Sequence, residues 1–569
     1  MPSRFFPTAL LFLALLLYFT QTQLAAHDRP SGPIRKSRSS VIARNGMAAT
    51  SQPLATAAAI RVLQDGGNAI DAAIAANAVL GVVEPMSCGI GGDLFAIVWD
   101  AKTQKLHGLN ASGRSPYAAT LALFREKNLA EIPSSGPLSW SVPGCVDGWE
   151  TLRARFGAKP LAEILAPAIQ YAEQGFPVSE IIARDWHSSA PSLSKIPTSS
   201  ACFLPGGLAP KTGDIFRNPS LAATLKLIAR NGPQAFYRGP IADAVVTYSH
   251  SVGGLFDHKD FADHTSTWVD PVSTNYRGYD VWELPPNGQG IAALQMLNLL
   301  EPHDLKQMGP LSAEALHLMI EAKKLAYEDR AKYYCDPDFT KIPVKTLISK
   351  AYAATRSPLI NRDRANPHPT AGEPREADTI YLTVVDKDRN CVSLIQSNFN
   401  GFGSNHVPAN LGFALQNRGC LFALDEHHGN RLMPHKRPFH TIIPAFVTKD
   451  GAPWLSFGLM GGDMQAQGHA QIICDMIDFN MDVQEAGDAP RFRHAGSSEP
   501  TGRRATGPGI VYVESEISDQ AIHGLEAKGH KIVRARSGYG GYQAIRVDLN
   551  RGILIGGSDP RKDGAAMGY

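Results

Sequence analysis

The sequence has little net charge. Its 55 lysine and arginine residues against 53 aspartate and glutamate residues leave +2. A chain so balanced sets up no field for a polyanion. Its basic runs, such as Arg35-Lys36-Ser37-Arg38, are short and carry no interleaved aromatics, so nucleic acid is not an expected partner. Cysteine is also sparse. Cys88, Cys145, Cys202, Cys335, Cys391, Cys420 and Cys474 form no C-x-x-C pair, which argues against a zinc ribbon or a thioredoxin-like site. The odd number leaves at least one free thiol; the sequence leaves the pairing of the rest open. The glycine-rich stretch Ser87-Cys88-Gly89-Ile90-Gly91-Gly92-Asp93 lacks the Gly-Lys-Ser/Thr of a P-loop and sits in no βαβ unit, so a nucleotide is excluded. His427, His428, His435 and His440 show no H-x-x-x-H spacing, and Gly429 and Pro434 break any helix between them. No metal is expected there, and no cofactor elsewhere.

What is present is a large apolar store. Hydrophobic residues make up 44% and charged residues 19%, enough to bury a sizeable core. The chain opens on Arg4, an apolar run at 5–19 and a small, polar exit at 20–26. That reads as a secretory signal removed after Ala26. An uncleaved anchor at 5–19 is the rival reading, although the run is shorter than the ~20 residues of a typical span. The protein is therefore expected to be exported, and to touch a membrane only if this segment is retained. Residues 27–44 are basic, Ser/Pro-rich and aperiodic, and read as a flexible leader. Helices are expected at 54–63, 69–80, 160–175, 219–232, 312–334 and 465–477, and strands at 94–99, 439–447 and 454–458.

The chain is organised around residues 378–404. Thr379-Ile380-Tyr381-Leu382-Thr383-Val384-Val385 is a strand pattern with Ile380, Leu382 and Val384 on one face. Asp386-Lys387-Asp388-Arg389-Asn390 supplies a turn, and Val392-Ser393-Leu394-Ile395-Gln396-Ser397 returns. Thr379 follows a polar, proline-bearing stretch, 357–377, that has no helix or strand period. A threonine that opens a strand after a dispensable leader is placed where an N-terminal nucleophile belongs. Cleavage before it frees an α-amine with a pKa of about 7.7–8.0, so one residue carries both nucleophile and base.

The run Thr379-Ile380-Tyr381-Leu382-Thr383-Val384-Val385-Asp386 resembles the T-x-x-x-[ST]-V-V-D segment of the γ-glutamyltransferase (γ-glutamyltranspeptidase) family. Further motifs follow in that family's order. They include the glycine loop at 87–93, the EAKKLAYEDR run at 321–330, Asp488-Ala489-Pro490-Arg491-Phe492, and the closing segment 557–566. The resemblance covers residues 45–569. It implies an α+β fold, the four-layer αββα sandwich of the N-terminal-nucleophile hydrolases. It also implies a precursor that cuts itself before Thr379 into a large part, 45–378, and a small part, 379–569.

From the same resemblance, Thr379 is the catalytic nucleophile. Gly461 and Gly462, a tandem glycine after a strand, are the oxyanion donors. Substrate contacts are implied for Arg114, Thr383, Ser397, Asn398, Asn400, His440, Thr441 and Asp463. The implied activity cleaves the γ-glutamyl amide of glutathione and related compounds, with transfer to water or an acceptor amine. One departure stands out. In Gln416-Asn417-Arg418-Gly419-Cys420-Leu421-Phe422, Leu421 occupies the position where the family reads the substrate's α-amine with an aspartate. A glutaryl- or cephalosporin-acylase-like amidohydrolase is therefore the second reading. An unprocessed, inactive secreted relative is the third.

Overall fold

The computed structural model describes residues 36–367 and 378–569. The signal-or-anchor reading of 1–26 lies outside these residues, as do the first half of the leader and the final part of the stretch before Thr379. Among the described residues no helix is long and apolar enough to cross a membrane.

Two seven-stranded sheets face each other. In the first, neighbours run in the order Val41–Ala43, Ile553–Ser558, Gly541–Asp548, Ala452–Met460, Ala445–Lys449, Tyr279–Glu283 and Val272–Tyr276. In the second they run Ala565–Gly568, Met47–Thr50, Asp378–Val385, Cys391–Phe399, Asp93–Asp100, Lys105–Ala111 and Thr267–Val269. All the pairings inside these two sheets are antiparallel. The period-2 alternation of each strand then supplies two apolar faces. Phe95, Ile97, Tyr381 and Ile395 of one sheet meet Phe446, Met460, Ile545 and Val547 of the other in the middle. Ile380, Leu382 and Val384 face outward onto a helical layer that includes Pro53–Gln64, Ala69–Val83 and Leu161–Gln174. Leu455, Phe457 and Leu459 face the opposite layer, which holds Gly290–Leu300, Ala313–Tyr333 and Met464–Ile477. The result is the expected α+β sandwich of helix, sheet, sheet and helix.

Local signals explain the helix starts. Asn68 closes a capping box with Asp71, Pro53 opens a helix behind Gln52, and Ser312 accepts from the Ala315 N–H. Two expectations are corrected. Val41–Ala43 is no loose leader but an edge strand on Ile553–Ser558, and the Ser37 hydroxyl donates to Asp488. Residues 439–444 are extended but form no strand. There His440 takes a single parallel bridge to Gly288, with its N–H on the Asn287 carbonyl, and pairing in the sheet begins only at Ala445. Pro438 and Pro444 flank the segment and cannot donate to a ladder. None of the seven cysteines is disulfide-bonded.

Candidate active site

The strand Asp378–Val385 lies inside its sheet, between Met47–Thr50 and Cys391–Phe399. Its register against Cys391–Phe399 breaks between Asp378 and Ile380, so Thr379 sits at a bulge. Bulges re-aim a side chain at the end of a pairing. Thr379 is 1% exposed, and its Oγ1 donates to Ser397 Oγ at 3.2 Å. Ser397 Oγ in turn accepts from the Phe399 N–H at 2.8 Å.

Across the sandwich, Thr383 Oγ1 and Ser456 Oγ are 2.7 Å apart. The Tyr381 ring fills the space above Gly458, where a Cβ would come within 2.4 Å of it. Moving back two residues on one strand therefore moves on two residues on the other. Followed further in the same sense, one strand runs toward Thr379 and the other toward Met460, the residue before Gly461-Gly462. Gly461 has φ +115° and Gly462 φ +55°, the left-handed region where glycine is favoured. The turn hands directly into the helix Met464–Ile477, whose positive end faces the same region. Gln289 Nε2 donates both to the Gly462 carbonyl at 2.9 Å and to the Thr441 carbonyl at 2.7 Å, fixing the turn against residue 441.

A cleft of about 700 Å³, including its open mouth, lies over this turn. Thr441, Gly462 and Asp463 line it, as do Phe399, Leu421 and Phe439. Three residues named from the sequence thus share one cavity. Arg330, which the sequence marks only as part of a helical motif, also lines it. Its Nη1 meets Asp463 Oδ1 at 2.5 Å and Gln289 Oε1 at 2.8 Å. Burial works to raise the Asp463 pKa, but the Arg330 guanidinium outweighs it and holds the carboxyl below its usual range. Arg418, fully buried and 4.5 Å from the centroid of the Phe399 ring, donates to Thr441 Oγ1 at 2.6 Å. Burial lowers its pKa to about 9.

The other expected residues, Thr379, Ser397 and Gly461 among them, do not themselves line this cleft. Thr383 is sealed between the sheets by its bond to Ser456. Arg114 donates to the Thr265 carbonyl at 3.1 Å and does not line the cleft. His440 is buried with its Nε2 on Asp93 Oδ2 at 3.0 Å and its Nδ1 accepting from the Ile442 N–H. Burial drives its pKa down to about 4, so the ring is neutral. Asn398 Nδ2 donates to the Cys88 carbonyl at 3.1 Å, which ties the hairpin to the glycine loop. The Asn400 N–H donates to Asn417 Oδ1 at 3.1 Å.

Known proteins share this architecture. The family description Gamma-glutamyltranspeptidase matches residues 55–569. The chain is 39% identical over 536 residues to the glutathione hydrolase-like YwrD proenzyme of Bacillus subtilis, covering 93% of this chain and 99% of that one. It is 36% identical over 538 residues to the acylase ACY 1 proenzyme of Pseudomonas sp. strain SE83, covering 92% and 93%. The crystal structure of cephalosporin acylase from Bacillus halodurans superposes with a TM-score of 0.87 at 40% identity, covering 96% of this chain and 99% of that one. The sandwich, the buried threonine at the bulged start of a central strand and these matches converge: the chain belongs to the gamma-glutamyltranspeptidase family.

Proposed function

We propose that the protein is a self-processing acyl-transfer enzyme that cleaves the γ-glutamyl amide of glutathione and related compounds. The observation that supports this reading is a buried threonine at the bulged start of a central strand that packs across the sandwich, through Thr383–Ser456 and Tyr381–Gly458, on the strand leading into Gly461-Gly462. Cleavage of the 378–379 bond turns Thr379 into a chain start. Its α-amine takes the hydroxyl proton as Oγ1 attacks the amide carbonyl. The backbone N–H groups of Gly461 and Gly462 receive the developing oxyanion. Collapse expels the amine and leaves an acyl ester on Thr379, which water or an acceptor amine resolves. Ser397 orients Oγ1, and the acyl chain lies against Phe399, Leu421 and Phe439. Residues 1–26 act as an export signal in this reading.

Denaturing electrophoresis tests it. The purified protein should run as two bands, the smaller beginning Thr-Ile-Tyr-Leu. Thr379→Ala should stay uncut and inactive, and Thr379→Ser should keep part of both reactions. An intact single chain with full activity overturns the mechanism.

A second reading, relaxed recognition of a glutaryl-type acyl group, is favoured by Leu421 in the cleft wall. Of the cleft's acidic groups Asp463 adjoins the glycine turn, and Arg330 already engages it. An α-ammonium beside Leu421 lacks a dedicated carboxylate, and losing one partner of a buried ion pair costs about 3–5 kcal/mol. The kcat/KM values for γ-glutamyl-anilide and glutaryl-anilide, which differ only in the α-amine, should therefore lie within about tenfold, because Asp463 is shared with Arg330. A preference of 10³ or more for the γ-glutamyl compound removes the second reading.

A further inference from the structure

The strand Ala452–Met460 loses one of its two neighbours before it reaches the glycine turn. Its ladder with Ala445–Lys449 starts at the pair Ala445–Phe457, whereas its ladder with Gly541–Asp548 runs on to Met460. Extended by two residues in the same register, the first ladder would set Ile443 opposite Leu459. Extended by four, it would set Thr441 opposite Gly461. In an antiparallel ladder every second such pair exchanges both N–H groups with the facing carbonyls. Here side chains take the groups that these two rungs would use. The Ile443 N–H donates to Gln465 Oε1 at 2.9 Å, and the Leu459 N–H donates to His469 Nε2 at 3.2 Å. Gln465 and His469 stand one turn apart on the helix Met464–Ile477, so one helix face serves both N–H groups of the missing pair. At the next position Gln289 Nε2 donates to the Thr441 carbonyl, the acceptor that a closed ladder would offer to the Gly461 N–H.

His469 is fixed as an acceptor. Its Nε2 receives an amide N–H and therefore carries no proton. Nδ1 is then the protonated nitrogen, and it donates to Glu283 Oε1 at 2.7 Å. Both side chains are fully buried, and burial drives the His469 pKa down to about 3, which keeps the ring neutral. The imidazole packs on Phe457 with ring centroids 5.0 Å apart. Gly468, the residue before it, lets the helix close on the strand, because a Cβ there would come within 2.7 Å of the Leu459 side chain. Pro444 completes the arrangement: it lies between Ile443 and Ala445 and has no N–H to extend the ladder.

We infer that Gln465, His469 and Gln289 are positioning residues: they replace the rungs that would close the ladder across the glycine turn, and so keep the Gly461 N–H for the oxyanion. None of the three lines the cleft, so each acts through the backbone it holds. His469 ties the strand before the turn to the helix after it, which leaves residues 460–468 as a short closed loop. Gln465 ties the facing segment to the same helix. Gln289 occupies the Thr441 carbonyl and, through its second bond, the Gly462 carbonyl. Without these bonds the turn loses its fixed position, and a misplacement of about 1 Å at a reacting centre costs about 10²-fold in rate.

The inference rests on the acyl-transfer reading, and the test separates the two. The cut enzyme is assayed with γ-glutamyl-4-nitroanilide and glutaryl-4-nitroanilide. Amide hydrogen exchange is followed by mass spectrometry in the peptides that cover Ile443 and Leu459. His469→Asn keeps a donor for Glu283 but places no acceptor at Leu459. It should lower kcat on the better anilide about 10–100-fold while KM stays within about threefold. Exchange in the peptide covering Leu459 should quicken about tenfold or more. His469→Gln, whose Oε1 can stand where Nε2 was, should recover most of both. Gln465→Met removes the acceptor at Ile443 and should act on kcat and on that peptide in the same way, so it decides the matter if His469→Asn fails to fold. Wild-type kcat in a folded His469→Asn or Gln465→Met protein, a loss carried by KM, or exchange that is unchanged or slower overturns the inference. Cut, folded wild-type protein that turns over neither anilide overturns the acyl-transfer reading instead. The exchange comparison then decides the replaced rungs alone.

Discussion

Gly462 is glycine because its backbone conformation demands it. At φ +55° a β-branched residue clashes with its own chain, and Gly461 at φ +115° is less tolerant still. The pair can turn from strand to helix within two residues and leave peptide N–H groups unshielded by any Cβ. Gly462→Val should therefore cut turnover by about 10²–10³, the usual loss for one oxyanion donor. The strain is confined to this two-residue turn, so the near-UV circular dichroism should stay close to that of wild type. Wild-type turnover in a folded Gly462→Val protein removes these glycines from the chemistry. Arg330 is the opposite kind of residue. Nothing in the sequence distinguishes it from the other charged residues of its helix. The structure buries it 99% and aims it at Asp463 and Gln289. Its role depends on three segments far apart in the chain, at 289, 330 and 463, and no local pattern encodes such a meeting. The same holds for Thr383, which shares a face with Thr379 on the strand pattern yet lies four residues deeper, between the sheets.

Among the elements, those with a strong internal period were legible. The hairpin of Asp378–Val385 and Cys391–Phe399 follows from alternation around an Asp-Lys-Asp-Arg-Asn turn, and Ala69–Val83 follows from its cap. The hairpin Val272–Tyr276 and Tyr279–Glu283 escaped, because its short strands are half-exposed and carry Ser, Asn and Asp. The strand expected at 439–447 begins only at Ala445, because the β-type residues before it lie in a prolyl-flanked segment outside the ladder. What no strand reveals alone is the spacing of the two sheets, and beside the site one tight contact contributes to it. Gly458 leaves room for the Tyr381 ring, whose hydroxyl is 2.8 Å from Ser393 Oγ. A methyl at 458 would drive the sheets apart beside the site. Gly458→Ala should destabilise by about 1–3 kcal/mol, the usual cost of overpacking, read from urea unfolding. It should also lower kcat by shifting Thr379 against the glycine turn. Tyr381→Leu in the same chain should return part of the stability, and an additive double variant would show that the two residues do not share this space.

For the molecule as a whole, the proposed cut at 378–379 falls in a chain whose two parts are interleaved. In the first sheet, Ile553–Ser558, Gly541–Asp548, Ala452–Met460 and Ala445–Lys449 come from the part after the cut. They lie between Val41–Ala43 on one side and Tyr279–Glu283 on the other, both from the part before it. In the second sheet, Met47–Thr50 is held between Ala565–Gly568 and Asp378–Val385, and Cys391–Phe399 pairs with Asp93–Asp100. Each such seam is a full strand pairing, and the core between the sheets mixes side chains from both parts. Separating the parts would expose unpaired strand edges and most of the apolar core at once, which amounts to unfolding. The cut enzyme should therefore elute as one particle of precursor size in native buffer. Its two chains should separate only at the urea concentration where circular dichroism reports loss of the fold. Dissociation well below that midpoint, with both chains still folded, would mean that the seams contribute little. Cleavage would then release a free subunit rather than an α-amine held in place within an unbroken sandwich.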